Sequence, residues 1–292
     1  MRKSGNILKC RSAALLEVTD LPRNNTPTAG DVITDYVARQ ARPDAGALVV
    51  GLCGAQGAGK STVAKTARDA LEARGLRTVI LSLDDLYLTR AQRTALARDV
   101  HPLLATRGPP GTHDVALGVA LLASLKAGQD VVLPVFDKLA DDRAPPQAWR
   151  QISGSADVVL FEGWCVGARP QPQALLGDPI NALERERDAD GAWRAYVNRA
   201  LVKDYPAIFA GIDRLVMLRA PGFEVVAGWR LEQEAQTLAG SRGGRGMDAG
   251  EIENFIQHYE RLTRWMLDEV PARADLVLAL DPDRTLCGVT ER

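Results

Sequence analysis

Apolar positions along this chain follow two rhythms in alternation. Short unbroken runs at 48–53, 78–83, 131–135, 157–161, 214–218 and 276–280 predict strands. Their lack of polar alternation suits strands covered on both faces. Between them apolar residues recur at helical spacing. Val32, Ile33, Tyr36 and Val37 predict a helix over 31–42 with Asp31 placed to cap it, and Val63, Ala64, Ala67, Ala70 and Leu71 predict one over 62–74, closed by Gly75. Further helices are expected over 89–98, from Asp114 to about 127 and over 223–238. After Asp248, Ile252, Phe255, Ile256, Tyr259, Leu262, Trp265 and Met266 share one helical face, which core packing explains. Strands alternating with helices predict an α/β fold with a mainly parallel sheet flanked by helices.

The junction of the first strand and the next helix holds GxxxxGK[ST] as Gly54, Gly59, Lys60 and Ser61. Strand, glycine-rich loop and helix in that order form a phosphate-binding loop. Its glycines let successive N–H groups turn inward, and the helix N-terminus adds partial positive charge. Gly54, Ala55, Gln56, Gly57, Ala58, Gly59, Lys60, Ser61 and Thr62 are therefore the expected nucleotide-binding set, with Lys60 reaching the β- and γ-phosphates and Ser61 ligating Mg²⁺. ATP and Mg²⁺ are the cofactors this implies.

Other polar residues sit at the ends of predicted strands, where ligands bind in open parallel sheets. Asp84 and Asp85 follow the second strand, with Tyr87 just beyond; Asp84 is a candidate base, whereas Asp85 is equally explained as a turn residue. Glu162 ends the strand before Gly163-Trp164, where phosphate-loop enzymes hold Mg²⁺. A buried acid there needs a metal or cation partner. Arg107 and His113 flank a Gly- and Pro-stiffened loop, and Lys138 and Arg143 follow another strand end; these residues are candidates to contact an acceptor or its anionic group. Asp114 reads as a helix cap.

Bulk properties exclude some classes. The chain has 292 residues and a formal net charge of −1, which offers no electrostatic footprint for nucleic acid or an anionic membrane. No apolar run reaches membrane-spanning length, and no secretory signal is expected. Cys10, Cys53, Cys165 and Cys287 are scattered without CxxC, which suits free thiols in the cytoplasm. Three histidines without a cluster argue against zinc. A small-molecule substrate is the implied partner; oligomeric state is not set by sequence.

Residues 1–45 read as an N-terminal segment with a short helix, and 46–292 as the main domain. Within it, 167–205 reads as a helical insertion whose charge run Glu184–Asp188 is a solvated face. Residues 239–247, glycine-rich with Arg242 and Arg245, read as an arginine-bearing lid or a flexible linker.

Seven blocks are shared with a known group: GAQGAGKST, LSLDDLYLT, RGPPGTHD, PVFDK followed by Arg143, LFEGW, WRLEQE and GMDxxExxxFxxxY. In order, from Leu48 to Ala279, they resemble the D-glycerate 3-kinases of plants and fungi and their bacterial relatives, within the uridine kinase, phosphoribulokinase and pantothenate kinase group. The resemblance implies a P-loop kinase fold and ATP-dependent phosphorylation of D-glycerate to 3-phosphoglycerate. It implies that Asp84 is the base, Glu162 the Mg²⁺-linked acid and Arg230 the nucleotide-contacting lid arginine. Residues 177–205 are longer and more charged than the resemblance leads one to expect of the plant enzymes. A kinase for a pantothenate-, sugar- or nucleoside-like alcohol, and a nucleotide-dependent regulatory module without turnover, stand beside that reading; an acceptor base speaks against the last.

Overall fold

The structure, a computed structural model, describes residues 27–42, 46–240 and 248–292. Arg242 and Arg245 of the expected lid lie outside the described residues. The chain runs α1 (Ala29–Gln40), β1 (Leu48–Gly54), α2 (Lys60–Ala73), β2 (Thr78–Ser82), α3 (Arg90–Asp99) and α4 (Val115–Lys126). Short strands β3 (Val131–Leu133), β4 (Phe136–Asp137), β5 (Asp142–Arg143) and β6 (Arg150–Ile152) come next, then β7 (Val158–Glu162). α5 (Ala182–Arg187), α6 (Ala192–Lys203) and α7 (Tyr205–Phe209) lead to β8 (Arg214–Arg219). α8 (Val226–Gly240), α9 (Ala249–Glu269), β9 (Leu276–Leu280) and β10 (Leu286–Glu291) complete the chain.

Six strands form one sheet in the order β10-β9-β8-β1-β7-β2, parallel except for β10. All five residues of β7 are buried, as are six of seven in β1, because helices cover both faces. Central β1 places Leu52 beside Glu162, and β2 places Ser82 on the other side of Glu162. The far ends of the strands share one device. Asp157 accepts the Arg77 N–H at 2.7 Å, Asp213 the Val49 N–H at 2.8 Å, and Asp275 the Leu215 N–H at 2.7 Å. Each aspartate directly precedes a strand and holds the first amides of its neighbour.

Several details differ from expectation. α1 begins at Ala29, and its cap is Thr28; Asp31 completes the capping box from the third helical position. Its Ile33, Tyr36 and Val37 join the main core. The run at 131–135 does not join the sheet: β3 pairs antiparallel with β6, and β4 with β5. β10 was not expected, and it forms the antiparallel edge beside β9.

The charge run in the insertion is not a solvated face. Arg185, Glu186 and Arg187 are exposed, but Glu184 and Asp188 are buried. Arg261 of α9 grips Glu184 in a fork, Nε to Oε1 at 2.8 Å and Nη2 to Oε2 at 2.7 Å. Asp188 accepts the backbone N–H of Trp193 at 2.7 Å and pairs with Arg194 at 2.9 Å. The insertion is thereby fastened to α9 around a small core of Leu103, Leu104, Leu183 and Trp193. Among the described residues no helix is long and apolar enough to cross a membrane.

Candidate active site

The phosphate loop leaves β1 and returns as α2. Gly59 caps α2 at φ +86°, a left-handed conformation that opens the helix N-terminus to a ligand. Gly57, at φ +75°, passes so close to α8 that an added Cβ would sit 2.5 Å from Trp229 Cβ. Lys60 donates to the Ala55 carbonyl at 2.9 Å. Burial lowers its pKa, against the charges of Glu162 and Asp84. Gln56 has both amide atoms buried without a partner in this conformation.

Glu162 is 5% exposed at the end of β7. It accepts from Ser82 Oγ at 2.7 Å and from Ser61 Oγ at 3.2 Å, both on Oε1. Burial, aided by the Asp84 charge, raises its pKa. A hydroxyl and a carboxylate at this spacing fit neighbouring oxygens around a Mg²⁺ with bonds of about 2.1 Å. Unpartnered Gln56, a half-buried ammonium and an open helix N-terminus likewise fit a polyphosphate.

Opposite the loop, Asp84 stands in a short 3₁₀ turn, Leu83–Leu86, at the end of β2. It accepts from Lys138 Nζ at 2.7 Å and from Tyr87 OH at 2.7 Å. Burial would raise its pKa, but the Lys138 charge and these hydrogen bonds outweigh burial and hold the carboxyl ionised well below its usual range. Asp85 points elsewhere, accepting the Phe136 N–H at 3.1 Å and anchoring the β4–β5 ribbon that carries Lys138.

Lys60, Ser61, Gln56, Gly57, Asp84, Tyr87, Arg107, Lys138, Glu162 and Arg230 of the expected set line one cleft. Arg107 pairs with Asp141 and lies over Phe136 at 5.5 Å, while its carbonyl accepts Tyr259 OH at 2.8 Å. Arg230 stacks over Phe255 at 5.5 Å and donates to Gln233 at 3.0 Å. Two expected contacts stand behind the cleft instead of lining it. His113 bonds through Nδ1 to Tyr205 OH and packs its ring 4.8 Å from Tyr87; burial pushes its pKa down to about 3. Arg143 donates to the Tyr87 carbonyl at 2.9 Å and to Asp114 at 3.3 Å. Asp114 also caps α4 by accepting the Leu117 N–H.

Gly163, Trp164, Gln233, Phe255 and Tyr259 also line the cleft. Phe255 and Tyr259 are four residues apart on α9, so the spacing that signals a core face also delivers them to the site. Trp164 Nε1 donates to the Gly108 carbonyl at 3.1 Å and fixes the stiff 107–113 loop. Arg93, 1% exposed, was read only as part of a helix. It donates to the carbonyls of Leu88, Ala105 and Asp141 and joins α3, the Arg107 loop and the β4–β5 ribbon.

Other clusters lack this chemistry. A larger cavity at the opposite ends of β8 and β9 holds Arg169, Arg214 and Arg273, each facing Glu269 or Asp275. His101, Asp188 and Asp190 come together, but Asp188 is committed to Arg194 and His101 Nδ1 accepts the Leu103 N–H.

Residues 49–168 match the phosphoribulokinase/uridine kinase family. The chain is 35% identical over 238 residues to the uncharacterized kinase mug58 of Schizosaccharomyces pombe, covering 78% of this chain and 84% of that one. It is 30% identical over 250 residues to the chloroplastic D-glycerate 3-kinase of Arabidopsis thaliana, covering 82% of this chain and 51% of that longer protein. Among solved structures, D-glycerate 3-kinase from Cryptococcus neoformans superposes with a TM-score of 0.77 at 28% identity, over 91% of this chain and all of that one. The chain thus belongs to the phosphoribulokinase/uridine kinase family of P-loop kinases, with D-glycerate 3-kinases among its homologues.

Proposed function

We propose that this chain transfers the γ-phosphoryl group of ATP to a hydroxyl of a small hydroxy acid, with D-glycerate going to 3-phosphoglycerate as the leading assignment. One observation carries the reading: a carboxylate, Asp84, lines the same cleft as the phosphate-loop lysine and is paired there with Lys138. A nucleotide switch has no use for such a group. The homologues named D-glycerate 3-kinase point to the acceptor.

The phosphate-loop amides and Lys60 hold the triphosphate and orient its γ-phosphorus toward Asp84. Ser61 and Glu162 would hold Mg²⁺, which would supply charge neutralisation to the triphosphate. Asp84 accepts the proton of the acceptor hydroxyl as its oxygen bonds to the γ-phosphorus. The bond from that phosphorus to the bridging oxygen breaks, and ADP leaves. Tyr87 keeps Asp84 in place, and His113 and Arg143 hold Tyr87 from behind. Arg107 and Lys138, which reach the cleft, grip the acceptor carboxylate; the electrostatic repulsion between that anion and the triphosphate makes such cations necessary. Free, buried Cys53 and Cys165 suit the reducing cytoplasm as the compartment.

The test is ADP release with D-glycerate, L-glycerate, glycerol, pantothenate and uridine, repeated with Arg107→Ala, Lys138→Ala and Arg143→Ala, with Lys60→Ala as the inactive control. D-glycerate is expected to be the best acceptor. Loss of Arg107 or Lys138 should weaken its use by roughly tenfold to a hundredfold, the worth of a charged hydrogen bond, with less effect on glycerol. Uridine or pantothenate as the best acceptor overturns the glycerate assignment and leaves the kinase.

A further inference from the structure

The turn that joins β9 to β10 sits against the outside of the phosphate loop, and no part of the mechanism above uses it. Asp281 organises this turn by accepting the N–H groups of Asp283 at 3.0 Å and Thr285 at 2.9 Å. Arg284 occupies the left-handed region at φ +66°, a conformation disfavoured for a side-chain-bearing residue. That conformation sends its side chain to three partners. Nε donates to the Gly57 carbonyl at 2.9 Å. The guanidinium lies over the Trp229 ring at 5.4 Å. Nη2 pairs with Glu232 one turn further along α8. Trp229 in turn donates from Nε1 to the Pro282 carbonyl at 2.7 Å, closing the ring of contacts.

The Gly57 carbonyl matters because of the peptide it belongs to. In a trans peptide the C=O and the following N–H point in opposite directions. A cation that holds the Gly57 oxygen toward α8 therefore aims the Ala58 N–H the other way, into the loop. There Ala58 N–H meets the Ala55 carbonyl at 3.2 Å, the same oxygen that Lys60 Nζ touches. Polarising the peptide through its oxygen also strengthens its N–H as a donor. Gly57 has no side chain to restrict its own rotation, so the Arg284 contact on the oxygen adds to the Ala58–Ala55 hydrogen bond in fixing the plane.

We propose that Arg284 is a positioning residue for the phosphate loop: by holding the Gly57 carbonyl outward it keeps the Ala58 N–H turned into the phosphate cradle. Its ligand-side consequence is affinity for a polyphosphate, and it is independent of which alcohol is phosphorylated.

The experiment is calorimetric titration of the full chain with Mg·ATP and with tripolyphosphate, which has the phosphates and no nucleoside, for wild type, Arg284→Ala and Arg284→Lys. Arg284→Ala should weaken both ligands by a similar factor of about tenfold, with Arg284→Lys intermediate. In steady-state assays KM for ATP should rise by the same factor while kcat at saturating ATP stays within about threefold. Unchanged affinity for both ligands overturns the proposal. So does loss of ATP affinity with tripolyphosphate affinity intact, which would put Arg284 on the nucleoside. If Arg284→Ala fails to fold, Arg284→Lys decides by the same two ratios. Wild type that binds neither ligand overturns the nucleotide reading, and this proposal with it.

Discussion

Replacing Arg261 with Met tests how the insertion is held to the rest of the molecule. Glu184 has no exposed side-chain surface, and Arg261 is 10% exposed. The guanidinium satisfies both carboxylate oxygens and also donates to the carbonyls of Leu175 at 2.7 Å and Asp178 at 2.6 Å. Without it the carboxylate keeps one partner, the Ile180 N–H at 3.0 Å. A buried ion left without its partner costs about 3–5 kcal/mol, and the carbonyls at the rim add little because water reaches them. Arg261→Met should therefore lose about 3–5 kcal/mol in denaturant unfolding. The double variant Glu184→Met/Arg261→Met removes both charges and replaces them with apolar volume, so it should recover to within about 1 kcal/mol of wild type. A single variant that loses less than about 1 kcal/mol, or a double variant no better than the single, would refute the claim that this pair is a desolvated anchor.

Two further outcomes are expected. Asp84→Asn should lower turnover by roughly 10²–10⁴ with little change in ATP affinity, whereas Asp85→Asn should act mainly through the β4–β5 ribbon; a reversal of the two effects would move the base to Asp85. Burial pushes the pKa of His258 down to about 4 and that of His113 to about 3, below the ordinary 6.5. The unfolded chain therefore takes up these protons first, so stability is full above about pH 6.5 and falls as pH drops toward 4, by on the order of 1–2 kcal/mol per histidine at pH 5. Unfolding free energy at pH 5 equal to or above that at pH 7 would contradict it, and His258→Gln should flatten the slope.

The phosphate loop and the carboxylates Asp84 and Glu162 were legible in sequence because strand, turn and helix are local signals and these side chains follow strand ends directly. The layer behind them was not. His113 and Arg143 have the residue types of contact groups, and nothing in their spacing says that Tyr87 stands between them and the cleft. Arg93 sits in a polar helical stretch, and its burial depends on the nearby Leu88 carbonyl together with those of Ala105 and Asp141 from other loops. β10 escaped because Leu286-Cys287-Gly288-Val289 is short, interrupted by glycine and irregular in pairing. The charge run at 184–188 misled because Arg194 and Arg261, its partners, come from outside it.

The aspartates at the far ends of the strands bear on how the site tolerates change. β7 is buried along its whole length, so its apolar pattern would fit a neighbour equally well if displaced by one position. Such a displacement would turn Glu162 to the opposite face of the sheet, away from Ser61 and Ser82. Asp157 fixes the offset from the remote end, about 16 Å from Glu162 at strand spacing, and Asp213 and Asp275 do the same for the strands beyond. The geometry of the proposed site thus depends on residues remote from it. Insertions in the loops should be absorbed, while one residue gained or lost between Asp157 and Glu162 should abolish the proposed phosphoryl transfer and leave the secondary structure content almost untouched.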